Sequence, residues 1–264
     1  MTKILFVSAL SAELKIVKEE IKKLNFKNIE ISFLESWIWN YNTIFNLTKF
    51  LEQNNNFDFI INIWVCGYSF HSMPLLQDWE FKKVIQIWRI KNLANNKEKI
   101  IPNFLNFAEI ESIACSENIV YNSSEIKEEN FVDMESYWFE LVAEKYNLPR
   151  IILKVPVDEI WEETKKFDFV KAKKFLKENI DYKKLMSELE EFLESKNLNL
   201  FDKKEEKLKN KILTYYKWTF SEKVILEKEI NKFLVLELWD IEKFFEENKN
   251  LDKKEFLKRL KNII

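Results

Sequence analysis

One glycine in 264 residues, Gly67, leaves this chain almost without the residue that enters left-handed backbone conformations at no steric cost. Average usage of about 7% would give roughly 18 glycines. Tryptophan instead occurs nine times, and many of the nine stand where backbone geometry asks for glycine. Trp37 and Trp39 flank a loop in Ser36-Trp37-Ile38-Trp39-Asn40, Trp64 follows a strand in Asn62-Ile63-Trp64-Val65-Cys66-Gly67, and others stand at Trp88, Trp138 and Trp161. Trp218 and Trp239 fall between helical segments, where a glycine C-cap would stop one helix before Ser221 or Asp240 starts the next. Two readings account for this: an AT-rich, glycine-poor gene that uses tryptophan as core filler, or UGA codons that mean glycine and were translated as tryptophan. The positions favour the second, and UGG at most of them would exclude it.

Bulk composition narrows the function classes. Hydrophobic residues make up 47% of the chain, enough for a sizeable core, and the length suits one large α/β domain or a domain with an appendage. With 42 Lys and Arg against 44 Asp and Glu there is no overall basic field, which removes the electrostatic basis for generic nucleic-acid binding. Only Arg89, Arg150 and Arg259 could clamp a phosphate through two hydrogen bonds. Cys66 and Cys115 lie in apolar stretches without CxxC or Cys/His spacing, so neither a metal site nor a disulfide framework is expected, and a reducing cytoplasm fits. The N-terminal apolar segment is interrupted by Ser8 too early for a signal peptide, and no run approaches the length of a membrane span. The lone His71 sits in a loop with no partner pattern that would make it catalytic.

Strand-like runs alternate with helical stripes through the first two thirds, the pattern of a sheet with helices packed on its faces. The runs Ile4 to Val7, Ile29 to Leu34, Phe57 to Ile63, Val84 to Ile87, Ile113 to Cys115 and Ile151 to Val157 read as strands. Helical stripes cover Ala12 to Leu24, Thr43 to Gln53, Glu135 to Tyr146, Val170 to Glu178 and Tyr182 to Leu193. An asparagine-rich break over Ser195 to Phe201 suggests a boundary, giving a domain over 1–197 and a helical extension over 198–264. The extension carries candidate helices over Lys203 to Lys217, Ser221 to Leu238, Asp240 to Glu247 and Asp252 to Ile263. The fold class expected is a three-layer α/β/α domain around a central mixed sheet, with that extension.

Two segments carry the chemistry. Val132-Asp133-Met134-Glu135-Ser136 opens an amphipathic helix, and the apolar run Ile151 to Val157 delivers Asp158-Glu159 at its end. A carboxylate at a helix start and another at the carboxyl end of a buried strand converge on the crevice where open α/β sheets bind ligands, a site for a small molecule. Taken alone, Glu135 reads more readily as a first-turn carboxylate complementing the helix dipole than as a ligand-binding group. Asp158 reads as a strand end, and Glu13 as one solvated helix position.

The order of parts resembles the purine nucleoside phosphorylase and nucleosidase superfamily, most closely the methylthioadenosine/S-adenosylhomocysteine nucleosidases, over about residues 3 to 193. Phe6-Val7-Ser8-Ala9-Leu10-Ser11-Ala12-Glu13 is similar to that family's first strand and turn. Ser36 to Asn42 is similar to its Ser/Thr-Gly-x-Gly-x-x-Asn loop when the two tryptophans are glycines, and Asn62 to Gly67 to its Asn-x-Gly-x-x-Gly strand end. Val132 to Ser136 and Val157-Asp158 are similar to its Met-Glu and Ser-Asp stretches.

The resemblance implies that Asp158 protonates N7 of a departing purine, that Glu13 activates the attacking water, that Glu135 accepts the ribose hydroxyls and that Met134 packs on the sugar. It further implies a base-binding strand segment at Ile119-Val120 and a ligand-facing strand end at Cys66-Gly67, with no metal and no cofactor. The implied reaction is hydrolysis of the N-glycosidic bond of an adenine-type nucleoside in the cytoplasm, by a homo-oligomer with no nucleic-acid or membrane partner. The turn Ser8 to Glu13 holds no arginine, which favours hydrolysis; a phosphate-dependent phosphorylase using Arg89 and a catalytically silent nucleoside-binding scaffold are the alternatives. The chain departs from the family in having Val157 before the acid in place of serine, and in a short stretch between Val84 and Ile113.

Overall fold

The computed structural model describes residues 2–26, 28–37, 39–54, 57–69, 84–126, 128–160, 168–199, 203–216, 218, 226, 230 and 241–261. His71, Trp161, Trp239 and most of the helix expected over 221–238 lie outside the described residues. The chain divides into two compact units, residues 1–193 and 194–264.

The first unit is a mixed sheet between two helical layers. Its strands are β1 (Thr2–Ser8), β2 (Ile29–Glu35), β3 (Phe59–Tyr68), β4 (Ile85–Asn92), β5 (Glu98–Ile100), β6 (Glu109–Cys115), β7 (Phe131–Asp133) and β8 (Arg150–Glu159). Its helices are α1 (Ser11–Lys22), α2 (Asn40–Gln53), α3 (Ser136–Lys145), α4 (Phe169–Asn179) and α5 (Tyr182–Asn199), the last running on through the first part of the asparagine-rich stretch expected as a break. The layering follows from strand periodicity, since successive side chains point to opposite faces. Ile4 and Phe6 of β1 join Val17 and Ile21 of α1, Leu176 of α4 and Leu185 of α5 in one core. Leu5 and Val7 join Leu47 and Leu51 of α2 with Phe139 and Val142 of α3 in the other. Each such side chain, fully buried, contributes about 1.5–3 kcal/mol.

β2, β1, β3 and β8 lie side by side and parallel. β8 then pairs antiparallel with β4, β4 parallel with β6, β6 parallel with β7, and β7 antiparallel with Gly67 and Tyr68 of β3. The pairings β3-β8-β4-β6-β7 therefore close on themselves, and the carboxyl ends of β3, β6 and β8 meet around one opening. The register of β3 with β8 breaks at Cys66/Gly67: Cys66 lies opposite Pro156 and Gly67 opposite Asp158, leaving Val157 as an extra residue. Proline cannot donate to a ladder and sits in sheets chiefly at edges and bulges, so Lys154-Val155-Pro156-Val157-Asp158 encodes this bulge.

In the second unit, α6 (Lys203–Tyr215), α7 (Ile241–Asn248) and α8 (Lys253–Lys261) accompany a separate core. That core gathers Ile212, Trp218, Leu226, Ile230, Phe244, Phe245 and Phe256. Trp218, expected at a glycine-like helix stop, is buried there, and its indole N–H donates to the Ile212 carbonyl at 3.4 Å.

One buried ion pair fixes α3 against the start of β8. Arg150 Nε donates to Glu140 Oε2 at 2.8 Å and its terminal nitrogen to Oε1, with both side chains nearly inaccessible. Removing one partner strands a buried charge. Glu140→Ala is expected to lower unfolding free energy by about 3–5 kcal/mol, read from the urea midpoint.

Candidate functional site

Glu13 takes its place from the turn between β1 and α1. It is the third residue of α1 and reaches back to accept the Leu10 backbone N–H at 3.1 Å, the reciprocal half of a capping box. The Val65 N–H of β3 supplies a second bond. The residue is only 3% exposed. Burial pushes its carboxyl up to about 7, against the two backbone bonds and the Lys154 charge, which pull it down.

Lys154 lies in the middle of β8, fully buried. Its ammonium stands 2.5 Å from Asp133 Oδ2 and 4.2 Å from the centre of the Trp64 ring. The contact with Asp133 lies off the hydrogen-bond direction, so the three N–H donors of the ammonium keep capacity for further acceptors. Asp133 also caps α3, accepting the Ser136 N–H at 3.0 Å and the Ser136 hydroxyl at 2.7 Å. Glu135 therefore stands at the N-cap position of α3 with non-helical φ, preceded by the short strand β7, where the sequence pattern had suggested helix. Burial raises the Glu135 carboxyl, with Asp133 and Glu13 adding to the rise. Lys154 and the backbone N–H of Trp39 oppose it.

Asp158 follows the β8 bulge and is partly exposed. Its carboxyl is raised by burial, lowered by Lys171 of α4 and raised by Asp168 at that helix's N-cap. Glu13, Glu135 and Asp158, 145 positions apart at the extremes of the sequence, line one cavity of about 700 Å³. Met134, Cys66, Gly67, Ile119 and Val120 line it as well. Ile119 and Val120 sit in the loop after β6, where a strand segment was expected. Trp64, expected in a turn after a strand, lies within β3 at the cavity, its indole N–H donating to the Val7 carbonyl at 3.0 Å.

Lys154 and Asp133 were not among the residues singled out from the sequence, although a lysine inside the run Ile151 to Val157 is itself a signal, since an unpaired charge does not stay in a buried strand. Phe169 of α4 and Tyr121 also line the cavity and were unmarked. Burial pushes the Cys66 thiol well above its ordinary range, which leaves it without nucleophilic thiolate. Among the described residues no lysine or arginine lines the cavity, and no group of three His, Cys, Asp or Glu is arranged to hold a metal. Arg89 pairs with Glu129 and Glu98, Arg150 with Glu140, and Arg259 with Glu255 and Asn248. No described helix is long and apolar enough to cross a membrane. The two buried acids Glu13 and Glu135 give the cavity proton donors and acceptors near neutral pH, and Asp158, its carboxyl also raised, adds a third acid at the rim.

No protein-family model matches the sequence, and no curated protein does. Solved structures do match the fold. A 5′-methylthioadenosine/S-adenosylhomocysteine nucleosidase from Campylobacter jejuni superposes with a TM-score of 0.58 at 16% identity, over 72% of this chain and 100% of that one. A futalosine hydrolase mutant from Helicobacter pylori gives 0.58 and 16% over the same shares. A Chlamydia trachomatis nucleosidase (MTAN) bound to adenine gives 0.51 and 20%, over 67% and 95%. At these identities the likeness is one of fold: the chain has the α/β/α architecture on which nucleosidases and futalosine hydrolase are built.

Proposed function

We propose that this chain hydrolyses the N-glycosidic bond of an adenine-type purine nucleoside. The observation that carries the reading is the convergence of Glu13, Glu135 and Asp158, from three separate elements, on one cavity. Cleavage of such a bond passes through an oxocarbenium-like state, which carboxylates beside the sugar stabilise. Asp158, at the rim with a raised pKa, donates its proton to N7 so that the base leaves neutral. Glu135 accepts the ribose hydroxyls, and Met134 packs against the sugar. Glu13 takes the proton of the attacking water, and Ile119 with Val120 covers the base.

Water is favoured over phosphate as the nucleophile because all three arginines of the chain have carboxylate partners and, among the described residues, no lysine or arginine lines the cavity. The fold neighbours act on or bind different ligands, adenine among them, so the 5′ substituent is the open variable of the proposal. The test is release of free base from methylthioadenosine, adenosylhomocysteine and inosine, each with and without phosphate. Turnover of the adenine nucleosides without phosphate supports the reading. Strict phosphate dependence transfers it to a phosphorylase, and tight binding without release to a silent nucleoside-binding protein.

Asp158→Asn is expected to reduce kcat by about 10²–10⁴-fold while leaving nucleoside binding measurable by calorimetry. In a pH profile of kcat/KM, Glu13→Gln is expected to erase the titration near 7 that the wild-type carboxyl contributes. The same burial has a stability consequence. Between about 4.5 and 7 the folded chain keeps a proton on Glu13 that the unfolded chain has released, so stability falls as pH rises through this window. Glu13→Gln is expected to be more stable than wild type at pH 8 by up to about 3 kcal/mol, the gain fading below about pH 5, measured as urea midpoints across pH.

A further inference from the structure

Among the described residues four have positive φ, and none is glycine: Trp37 at 66°, Trp39 at 91°, Asn96 at 54° and Asn147 at 57°. Asparagine tolerates this region, and Asn147 uses it in the ordinary way just past the C-cap of α3. Tryptophan does not. Residue 39, with ψ of 142°, lies close to a region that glycine alone occupies readily. Strained backbone persists where packing over-determines it, yet the two indoles are 60% and 57% exposed and gain little from burial.

The backbone around them is fixed by other groups. The Ser36 N–H donates to the Ser8 carbonyl at 2.9 Å, the Asn46 amide to the Ser36 carbonyl at 3.0 Å and the Thr43 N–H to the Trp39 carbonyl at 3.1 Å. Trp39 and Glu135 line the same cavity, and the Trp39 backbone N–H favours the ionised Glu135 carboxyl. Turning either residue to negative φ would break this set, so the conformation is required while the side chains are not. No such demand exists at Trp64, Trp88, Trp138 or Trp218, none of which has positive φ. The backbone thus selects two of the six described tryptophans, which composition alone could not do.

We infer that positions 37 and 39 are glycine positions: the protein as its source makes it carries glycine at both, UGA being read as glycine there, and residue 39 is a positioning residue whose backbone N–H holds Glu135. Only the importance of Glu135 rests on the proposed hydrolysis; the backbone demand stands without it.

The test compares the double variants Trp37→Gly/Trp39→Gly and Trp37→Ala/Trp39→Ala. Alanine removes the indoles but keeps the steric cost of positive φ, whereas glycine removes both. The glycine pair is expected to melt above the alanine pair by about 2–4 °C per position; equal or lower melting overturns the backbone demand. A carboxyl-labelled Glu135 followed by ¹³C NMR is expected to titrate lower in the glycine pair, because a well-aligned N–H favours the ionised form. Identical titration overturns the positioning role. Peptide masses of protein from its native source are expected to show glycine at 37 and 39 with UGA codons. Tryptophan masses or UGG codons at these two positions overturn the decoding. None of these readouts uses nucleoside turnover, so failure of the hydrolase reading leaves them interpretable.

Discussion

A single buried ammonium organises the acidic side of the cavity. Lys154 is fully inaccessible and stands against Asp133, with Glu13 and Glu135 within electrostatic reach. One positive charge cannot balance three ionised carboxylates out of water, so the cluster settles by keeping protons on acids that would lose them in solution. Asp133 has the direct ion pair and the α3 cap; Glu13 and Glu135 are pushed toward neutral pH. The same burial that costs stability gives the cavity groups able to exchange protons under ordinary conditions, and the lysine moderates the rise of both.

Much of this arrangement was legible in the sequence because it rests on local periodicity. The alternating faces of β1 and the stripes Leu14, Val17, Ile21 and Leu47, Leu51 report sheet and helix directly, since each pattern matches one period. β5 and β7 were not legible: three residues are too few to show a period, and their existence depends on partners distant in the chain. For β7 the misreading was specific. The apolar residues after it belong to α3, and Asp133 caps that helix, so helix signals began inside the strand. The register break opposite Gly67 was equally hidden, although Pro156 marked it in retrospect.

The glycine question shows the opposite division of labour. Sequence position raised it for many of the nine tryptophans, but only backbone angles separate the described cases. Trp64 and Trp218 place their indole N–H groups on carbonyls inside a core and behave as the aromatic residues they are written as. Trp37 and Trp39 face solvent on a backbone that disfavours a bulky side chain and suits glycine.

Val157 ties the sheet to the site. In the resembling family a hydroxyl stands at this position, but here the side chain is buried in the core against α1, α4 and α5. As the extra residue of the bulge it is held by packing on that face while Asp158 is turned to lie opposite Gly67. A β-carbon at Gly67 would meet the Val132 side chain at 3.2 Å, tightly, and the Asp158 carbonyl at 3.6 Å, in ordinary contact, so β3, β7 and β8 pack closely there. The aspartate is therefore aimed by apolar packing and backbone register, with no hydroxyl at residue 157, and its protonation answers chiefly to its partial burial and to Lys171 and Asp168.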